Sequence, residues 1–368
     1  MKKKRIETIT IGIFLVFVFV FTAVNLFAEK KEFSENENRT LAPFPALTVS
    51  NIFGGDFDTQ FETWFSDHFV ARDTWIETKA VSRRMMGAIE NNNVFYGKGR
   101  RLIQQFSTYN PTLFENNIAY IDEFCKENGR RGNILLIPDA CYGAESALPF
   151  GAWNIDESRL LDTVCEELSD QTVIDLRNAL NDPHYYFRTD HHWNAAGAYE
   201  GYKAICREVL QIEPYKFTQT PVSDDFRGTM FSRSGAFWTR PETLERIDCE
   251  RPVRATILFE DGSRMDSLYN DARLETKDKY TYYIDGNHAY TEIHTDADSE
   301  RTAVIVKDSY AHILMPYLVS EYRTIKLVDL RYYQGAVSAL LQEMPQADLY
   351  FIYSLNTFVT DSSLGMLW

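Results

Sequence analysis

Apolar positions change their spacing several times along the chain, and each change marks an element. An uncharged apolar run extends from about Ile9 to Ala28. Residues 52–88 then place Phe57, Phe61, Trp64, Phe65, Phe69, Trp75 and Ile76 at helical intervals, which predicts one or two amphipathic helices whose aromatic stripe is packing surface. Val94–Ile103 reads as a hairpin turning at Gly97 and Gly99. From residue 110, short apolar runs alternate with helical periods. The pattern predicts a helix over 110–128, a buried strand over 134–137 ending at Pro138, a helix over 157–168, a strand over 173–176 and a helix from about 195 to 210. Residues 212–300 are richer in Thr, Tyr, Asp and Gly, with strand-like runs at 255–259 and 280–284, and read as a mainly β insertion or a region of long loops. The alternation then resumes: strand 302–306, helix 310–319, strand 325–330, helix 336–343, strand 349–353. Short apolar strands alternating with helices predict an α/β domain built on a parallel sheet covered on both faces.

The first apolar run is long enough to cross a bilayer, which takes about 20 residues of helix. Lys2, Lys3, Lys4 and Arg5 precede it, and such a flank stays in the cytoplasm, so everything after Glu29 is expected outside. A signal peptide cleaved near Leu26 and Ala28 is the rival reading, and a buried globular helix is a third. The expected organisation is therefore a cytoplasmic tip and anchor at 1–28, a polar, proline-bearing juxtamembrane linker at 29–51, and one large domain at 52–368 with its insertion at about 212–300. A hydrophobic content of 45% is enough for a sizeable core and excludes a disordered chain. A net charge of −15 argues against nucleic-acid binding, which needs a basic surface. None of the five cysteines (Cys125, Cys141, Cys165, Cys206, Cys249) falls in a metal-binding spacing, so zinc is not expected. Their odd number leaves at least one unpaired, and Cys165 and Cys206 read as small core residues.

The densest polar cluster is Arg188-Thr189-Asp190-His191-His192-Trp193-Asn194, between a strand and a helix, where α/β domains place active-site loops. Residues two apart in an extended loop project to one side, so Asp190 and His192 belong together and His191 points elsewhere. A carboxylate beside an imidazole fixes its tautomer and stabilises the imidazolium, making His192 a candidate general base and Asp190 its orienter. The bland alternative is a helix-capping Asp190 and a buried, satisfied His192. Ser309 ends the run Thr302–Ser309 at a strand's C-terminal edge, next to a helix N-terminus where backbone N–H groups can hold an oxyanion. Its alternative is an ordinary capping serine. His312, three residues on, is a rival base. Asn356, after the strand 349–353, is a candidate oxyanion amide or a plain turn residue.

Asp-His-His-Trp followed by Asn194-Ala-Ala-Gly-Ala-Tyr199, with Tyr185-Tyr-Phe-Arg-Thr189 before it, resembles the signature of the DHHW protein family, which is similar to the extracytoplasmic alginate O-acetyltransferases. The resemblance covers roughly residues 52–368. It implies a circularly permuted SGNH-hydrolase-like (flavodoxin-like) sheet, with the Asp/His block at Asp190 and His192 first, the Ser block at Asp308-Ser309 next, and the oxyanion Asn at Asn356 last. Departures are visible. The usual Gly-Asp-Ser is Lys307-Asp308-Ser309, Asp-x-x-His is shortened to Asp190-x-His192, and Arg331 or Tyr332 stands near the place of the block glycine. His191, Arg188, Arg331 and Tyr332 are accessory candidates. The Asp190-His191-His192 triplet also invites a metal-dependent reading like that of the DHH phosphoesterases, but no other histidine forms a ligand motif with it.

The resemblance implies an O-acyl(acetyl)transferase or esterase acting on a cell-surface polysaccharide through Ser309, His192 and Asp190, with the Ser309 N–H and Asn356 at the oxyanion. That chemistry needs no cofactor. A multi-pass membrane O-acyltransferase is the implied acyl donor. The alternative class is a non-catalytic polysaccharide-binding or scaffold protein on the same fold, with Trp238 and the tyrosines of the insertion as a glycan surface.

Overall fold

The computed structural model describes residues 2–27 and 30–368. They form two units. One runs to Ala88 and includes Gly235–Trp238; the other comprises Ile89–Ser234 and Thr239–Trp368.

The first unit opens with the helix Lys2–Phe27, on which Ile13, Phe14 and Phe19 are exposed. The expected tip and anchor at 1–28 include Met1 and Ala28, which lie outside the described residues, as does Glu29 at the start of the expected linker. Among the described residues no helix is long and apolar enough to cross a membrane. Three helices follow, Val49–Gly54, Asp56–Asp67 and Arg72–Met85. Thr48 caps the first, accepting the Asn51 N–H. The aromatic stripe stacks along the second, with Phe57–Phe61 and Phe61–Phe65 ring centroids 6.0 and 6.2 Å apart. Phe69 also stacks on Phe21 of the first helix, centroids 6.2 Å apart, and residues 52–88 fall within this unit. Buried Asp67 receives the Arg39 guanidinium and the Ala42 N–H, and the Arg39 hydrogen bond, more than burial, sets its pKa, down to about 2.

The second unit is built on an eight-stranded sheet. In chain order its strands are β1 (Gly132–Ile137), β2 (Thr172–Asp175), β3 (Ala255–Phe259), β4 (Arg264–Met265), β5 (Tyr290–Thr295), β6 (Thr302–Lys307), β7 (Thr324–Val328) and β8 (Asp348–Ser354). Across the sheet they lie in the order β4-β3-β5-β7-β6-β8-β1-β2. The five strands from β7 to β2 are parallel. Their near-continuous apolar sequences follow from burial on both faces, as at Ile134, Leu135, Val304, Ile305, Phe351 and Ile352. β3, β4 and β5 extend this sheet antiparallel. The β-rich insertion therefore contributes an edge to the main sheet as well as the separate hairpin Phe217–Phe226/Glu242–Cys249.

Two expected elements change. The run 280–284 is a 3-10 turn, Lys279–Tyr282, and Ile284 and Asp285 take left-handed backbone (φ 48° and 61°) that no strand continues through. Burial of Tyr280, Tyr282 and Tyr283 outweighs their β preference. The helix expected over 310–319 is a 3-10 segment, Ser309–Leu314, followed by one α turn, Met315–Leu318. Pro316 has no N–H to continue the ladder, so the helix restarts there. All five cysteines are unpaired, and Cys165 is only partly buried.

Candidate active site

The site lies at the C-terminal edge of the parallel strands, where loops from β2, β6 and β8 converge. After β2 the chain reaches the Asp-His-His-Trp loop, which is held by buried Trp193. The indole N–H donates to the Tyr310 carbonyl at 2.9 Å. A side chain at Gly201, two turns into the following helix Ala195–Ile205, would overlap that indole, so the glycine makes room for the tryptophan. Asn194 caps this helix through the Gly197 N–H (3.1 Å). Asp190 is thus not the cap, and its carboxylate is committed elsewhere.

Asp190 and His192 sit on the same side of the loop, as alternation requires. Asp190 Oδ1 accepts the His192 backbone N–H at 3.0 Å and lies 2.5 Å from His192 Nδ1. With Nδ1 as donor, His192 Nε2 faces the Ser309 hydroxyl at 2.8 Å as an acceptor. The chain Asp190–His192–Ser309 therefore joins residues separated by 117 positions. Asp190 is 2% and His192 4% exposed, whereas Ser309 is partly open to solvent. Burial alone would push the Asp190 carboxyl up. The His191 and His192 imidazoles, the His192 hydrogen bond and the Thr229 N–H more than offset this and hold it well below the usual carboxylate range. A fixed carboxylate, an oriented imidazole and an accessible hydroxyl together can deprotonate that hydroxyl for attack on a carbonyl.

Ser309 opens the 3-10 segment after β6, and Asp308 rather than Ser309 caps it, accepting the Tyr310 N–H at 2.9 Å. The other Asp308 oxygen accepts the Ser354 N–H at 2.9 Å, joining the ends of β6 and β8. Asn356 lies in the first turn of the helix Leu355–Thr360, which Ser354 caps. Strand register sets Lys307 opposite Ile352, so Ser309 and Asn356 leave adjacent strand ends. Neither the Ser309 N–H nor the Asn356 side-chain amide has a hydrogen-bond partner among the described residues.

The other candidates have different placements. His312 accepts from Lys307 Nζ at 2.9 Å, is buried, and makes no hydrogen bond to Ser309. Arg331 grips Asp329 through Nε and Nη2 (2.8 and 2.6 Å), and Lys307 meets the same carboxylate at 3.3 Å. Tyr332 is half-exposed beside the Arg331 guanidinium. Arg188 holds the Pro241 carbonyl at 3.0 Å. His191 Nδ1 lies 2.6 Å from Thr229 Oγ1. Asp190, His191 and His192 bring three potential ligand atoms within 4.8 Å, but both His192 ring nitrogens are already committed to Asp190 and Ser309.

Several site residues escape a sequence reading. Thr229 donates both its N–H (2.7 Å) and its hydroxyl (2.9 Å) to Asp190 Oδ2. Gly228 lies so close to Asp190 that any Cβ would overlap the carboxyl. Tyr280 stacks on His192 with centroids 3.9 Å apart and planes 9° from parallel, and its hydroxyl donates to the Ser309 carbonyl at 3.1 Å. Half-buried Glu242 accepts the Arg188 and Thr189 N–H groups, each at 2.7 Å. All four come from the insertion, where no periodicity marks them.

A parallel α/β sheet with Ser, His and Asp on one strand edge, the Asp/His block preceding the Ser block, is the circularly permuted SGNH-hydrolase-like class. Residues 164–328 match the family model described as DHHW protein, a span that holds Asp190, His192 and Ser309, and the family resemblance read from the sequence stands on this match. No curated protein matches the chain. Among solved structures, a DHHW family protein from Eubacterium siraeum is 20% identical with a TM-score of 0.64, over 76% of this chain and 96% of that one. PatB1 of Bacillus cereus, solved with a sulfonyl adduct, is 20% identical with a TM-score of 0.60, over 72% of this chain and 95% of that one. Both share the fold. The O-acetyltransferase domain of Pseudomonas putida AlgJ is similar at 15% identity and a TM-score of 0.48, over 74% and 94% of the two chains.

Proposed function

We propose that this protein is a serine O-acyltransferase or esterase of the cell envelope, acting on a cell-surface polysaccharide. The observation that carries the reading is the hydrogen-bond chain from Asp190 through His192 to the partly exposed Ser309 hydroxyl. In the proposed reaction His192 Nε2 takes the Ser309 proton as Oγ attacks an acyl carbonyl. Asp190 keeps Nδ1 protonated and stabilises the imidazolium. The Ser309 N–H and the Asn356 side-chain amide, both without partners among the described residues, receive the oxyanion. His192 returns the proton to the leaving oxygen. The acyl group then passes to a sugar hydroxyl, with transfer and hydrolysis differing only in whether the acceptor is sugar or water. The basic flank and apolar run at the N-terminus support an uncleaved anchor with the domain outside the cell. The family resemblance supports a multi-pass membrane acyltransferase as acyl donor.

The test is turnover of p-nitrophenyl acetate by the purified protein, with Ser309→Ala and His192→Ala measured beside it. Loss on the order of 10^4-fold in each variant, with folding intact by circular dichroism, is the expected result. A sulfonyl fluoride is a natural probe, given the sulfonyl adduct in PatB1, and is expected to label Ser309. An inert wild type, or a Ser309→Ala protein that turns over as fast as wild type, would sink the reading in favour of a glycan-binding role.

A further inference from the structure

Behind Asn356 lies a pair of buried carboxyl groups that the proposed chemistry does not use. Asp139 follows β1 and Pro138 and is 5% exposed. Its Oδ2 accepts the Asn356 backbone N–H at 2.9 Å. Its own N–H donates to Glu157 Oε2 at 2.9 Å, and Glu157 Oε1 accepts the Cys141 thiol at 3.0 Å. The Tyr310 hydroxyl donates to the His191 carbonyl and lies beside the Asp139 carboxyl. Asp308 is the third acid facing Asp139, and Tyr186, bonded to the Pro138 carbonyl at 2.9 Å, lies on the remaining side. One carboxyl thus touches the Asn356 turn, the residue after Ser309, and through it the Asp-His-His-Trp loop.

Among the described residues no basic side chain pairs with Asp139 or Glu157. Burial, together with the neighbouring acids, pushes Asp139 up to about 7 and Glu157 well above the carboxylate range. Burying two acids without a cation is costly. Costly arrangements of this kind cluster at functional sites.

We propose that Asp139, backed by Glu157, is a positioning residue of the acyl-transfer centre: it fixes the Asn356 turn and the Ser309 turn relative to each other so that the Asn356 side-chain amide and the Ser309 N–H converge on one oxyanion. This rests on the Ser309 reading above. The test uses the full-length protein and compares Asp139→Ala, Asp139→Asn, Asn356→Ala and the double variant Asp139→Ala/Asn356→Ala. Asp139→Ala is expected to lower kcat about 10- to 100-fold with little change in KM, the scale of a displaced oxyanion donor. Asp139→Asn, whose amide oxygen still accepts the Asn356 N–H, recovers most of that loss. In the Asn356→Ala background, Asp139→Ala costs less than about 3-fold, because the group it positions is gone. Equal losses in both backgrounds, or a folded Asp139→Asn as impaired as Asp139→Ala, would overturn the proposal.

A second measurement does not depend on turnover. The backbone amide shift of Asn356, followed in 15N-labelled protein, is expected to titrate with a midpoint near 7 and to lose that step in Asp139→Asn. An amide shift identical in wild type and Asp139→Asn at every pH between about 3 and 9 would overturn the contact, even in an active enzyme. A titrating amide in an inert wild type would instead overturn the acyl-transfer reading and with it the role assigned to Asp139.

Discussion

Asp190 is the residue on which the candidate site is most finely set, because every atom of its carboxylate is engaged. Oδ1 serves His192, and Oδ2 is pinned by both donors of Thr229. Gly228 closes the fourth side, and its missing side chain is what lets the Thr229 backbone approach. Gly228→Ala must push either the loop or the carboxylate away by a sizeable fraction of a bond length. Turnover is expected to fall about 100-fold, with the circular-dichroism spectrum unchanged. Thr229→Val in the same assay is expected to cost less, because the backbone donor to Oδ2 survives. At this scale the sequence was legible where the chemistry is local. Asp190 and His192 are two apart and alternate to one side, so their pairing follows from backbone geometry. Gly228 and Tyr280 lie 38 and 90 positions beyond Asp190, and only the tertiary fold brings them to it.

The insertion looks in sequence like an appendage to the α/β frame, yet its elements form one wall of the site. Its strands β3, β4 and β5 continue the sheet, and its 3-10 turn Lys279–Tyr282 sets Tyr280 flat against the His192 ring. Removing only the hydroxyl in Tyr280→Phe is expected to cost about 1 kcal/mol of stability, one neutral hydrogen bond, and to leave the imidazole covered. Tyr280→Ala removes the wall, and a cost of about 3–5 kcal/mol is expected, together with a larger fall in turnover than Tyr280→Phe shows. Urea midpoints and initial rates measured on the two variants separate the ring from its hydroxyl. The strands of the parallel core were legible because burial on both faces leaves uninterrupted apolar runs such as 302–306 and 349–353. The turn at 279–282 was not, since three tyrosines in five residues carry β preference whatever their final backbone.

For the whole molecule, the uncompensated acids Asp139 and Glu157 tie stability to pH with a sign opposite to that of Asp67. The folded pKa of Asp139 is raised to about 7, against about 4 in the unfolded chain. The folded state therefore binds the extra proton between about pH 4 and 7, and stability falls as pH rises through that window. Asp67, held near 2 by Arg39, contributes stability that is present above about pH 4 and is lost as pH falls toward 2. Asp139→Asn is expected to flatten the decline between pH 5 and 8 in part, Glu157 supplying the remainder, and Tm measured across that range reads it directly. The order of the three candidate blocks was read through the family resemblance, while the α/β class was legible from the alternation of elements. The division between the two units was not, because the aromatic stripe at 57–69 satisfies helix packing equally well in either. The strand order carries a further consequence for biogenesis. β8 is the last of the described strands in the chain and lies in the middle of the sheet, between β6 and β1. Until residues 348–354 are made, β6 and β1 lack the strand that lies between them, and the Ser309 segment meets the Asp-His-His-Trp loop only through direct bonds such as that from Trp193 to the Tyr310 carbonyl. The parallel part of the sheet therefore cannot close until synthesis has reached β8, and its assembly is a late event in the life of the chain.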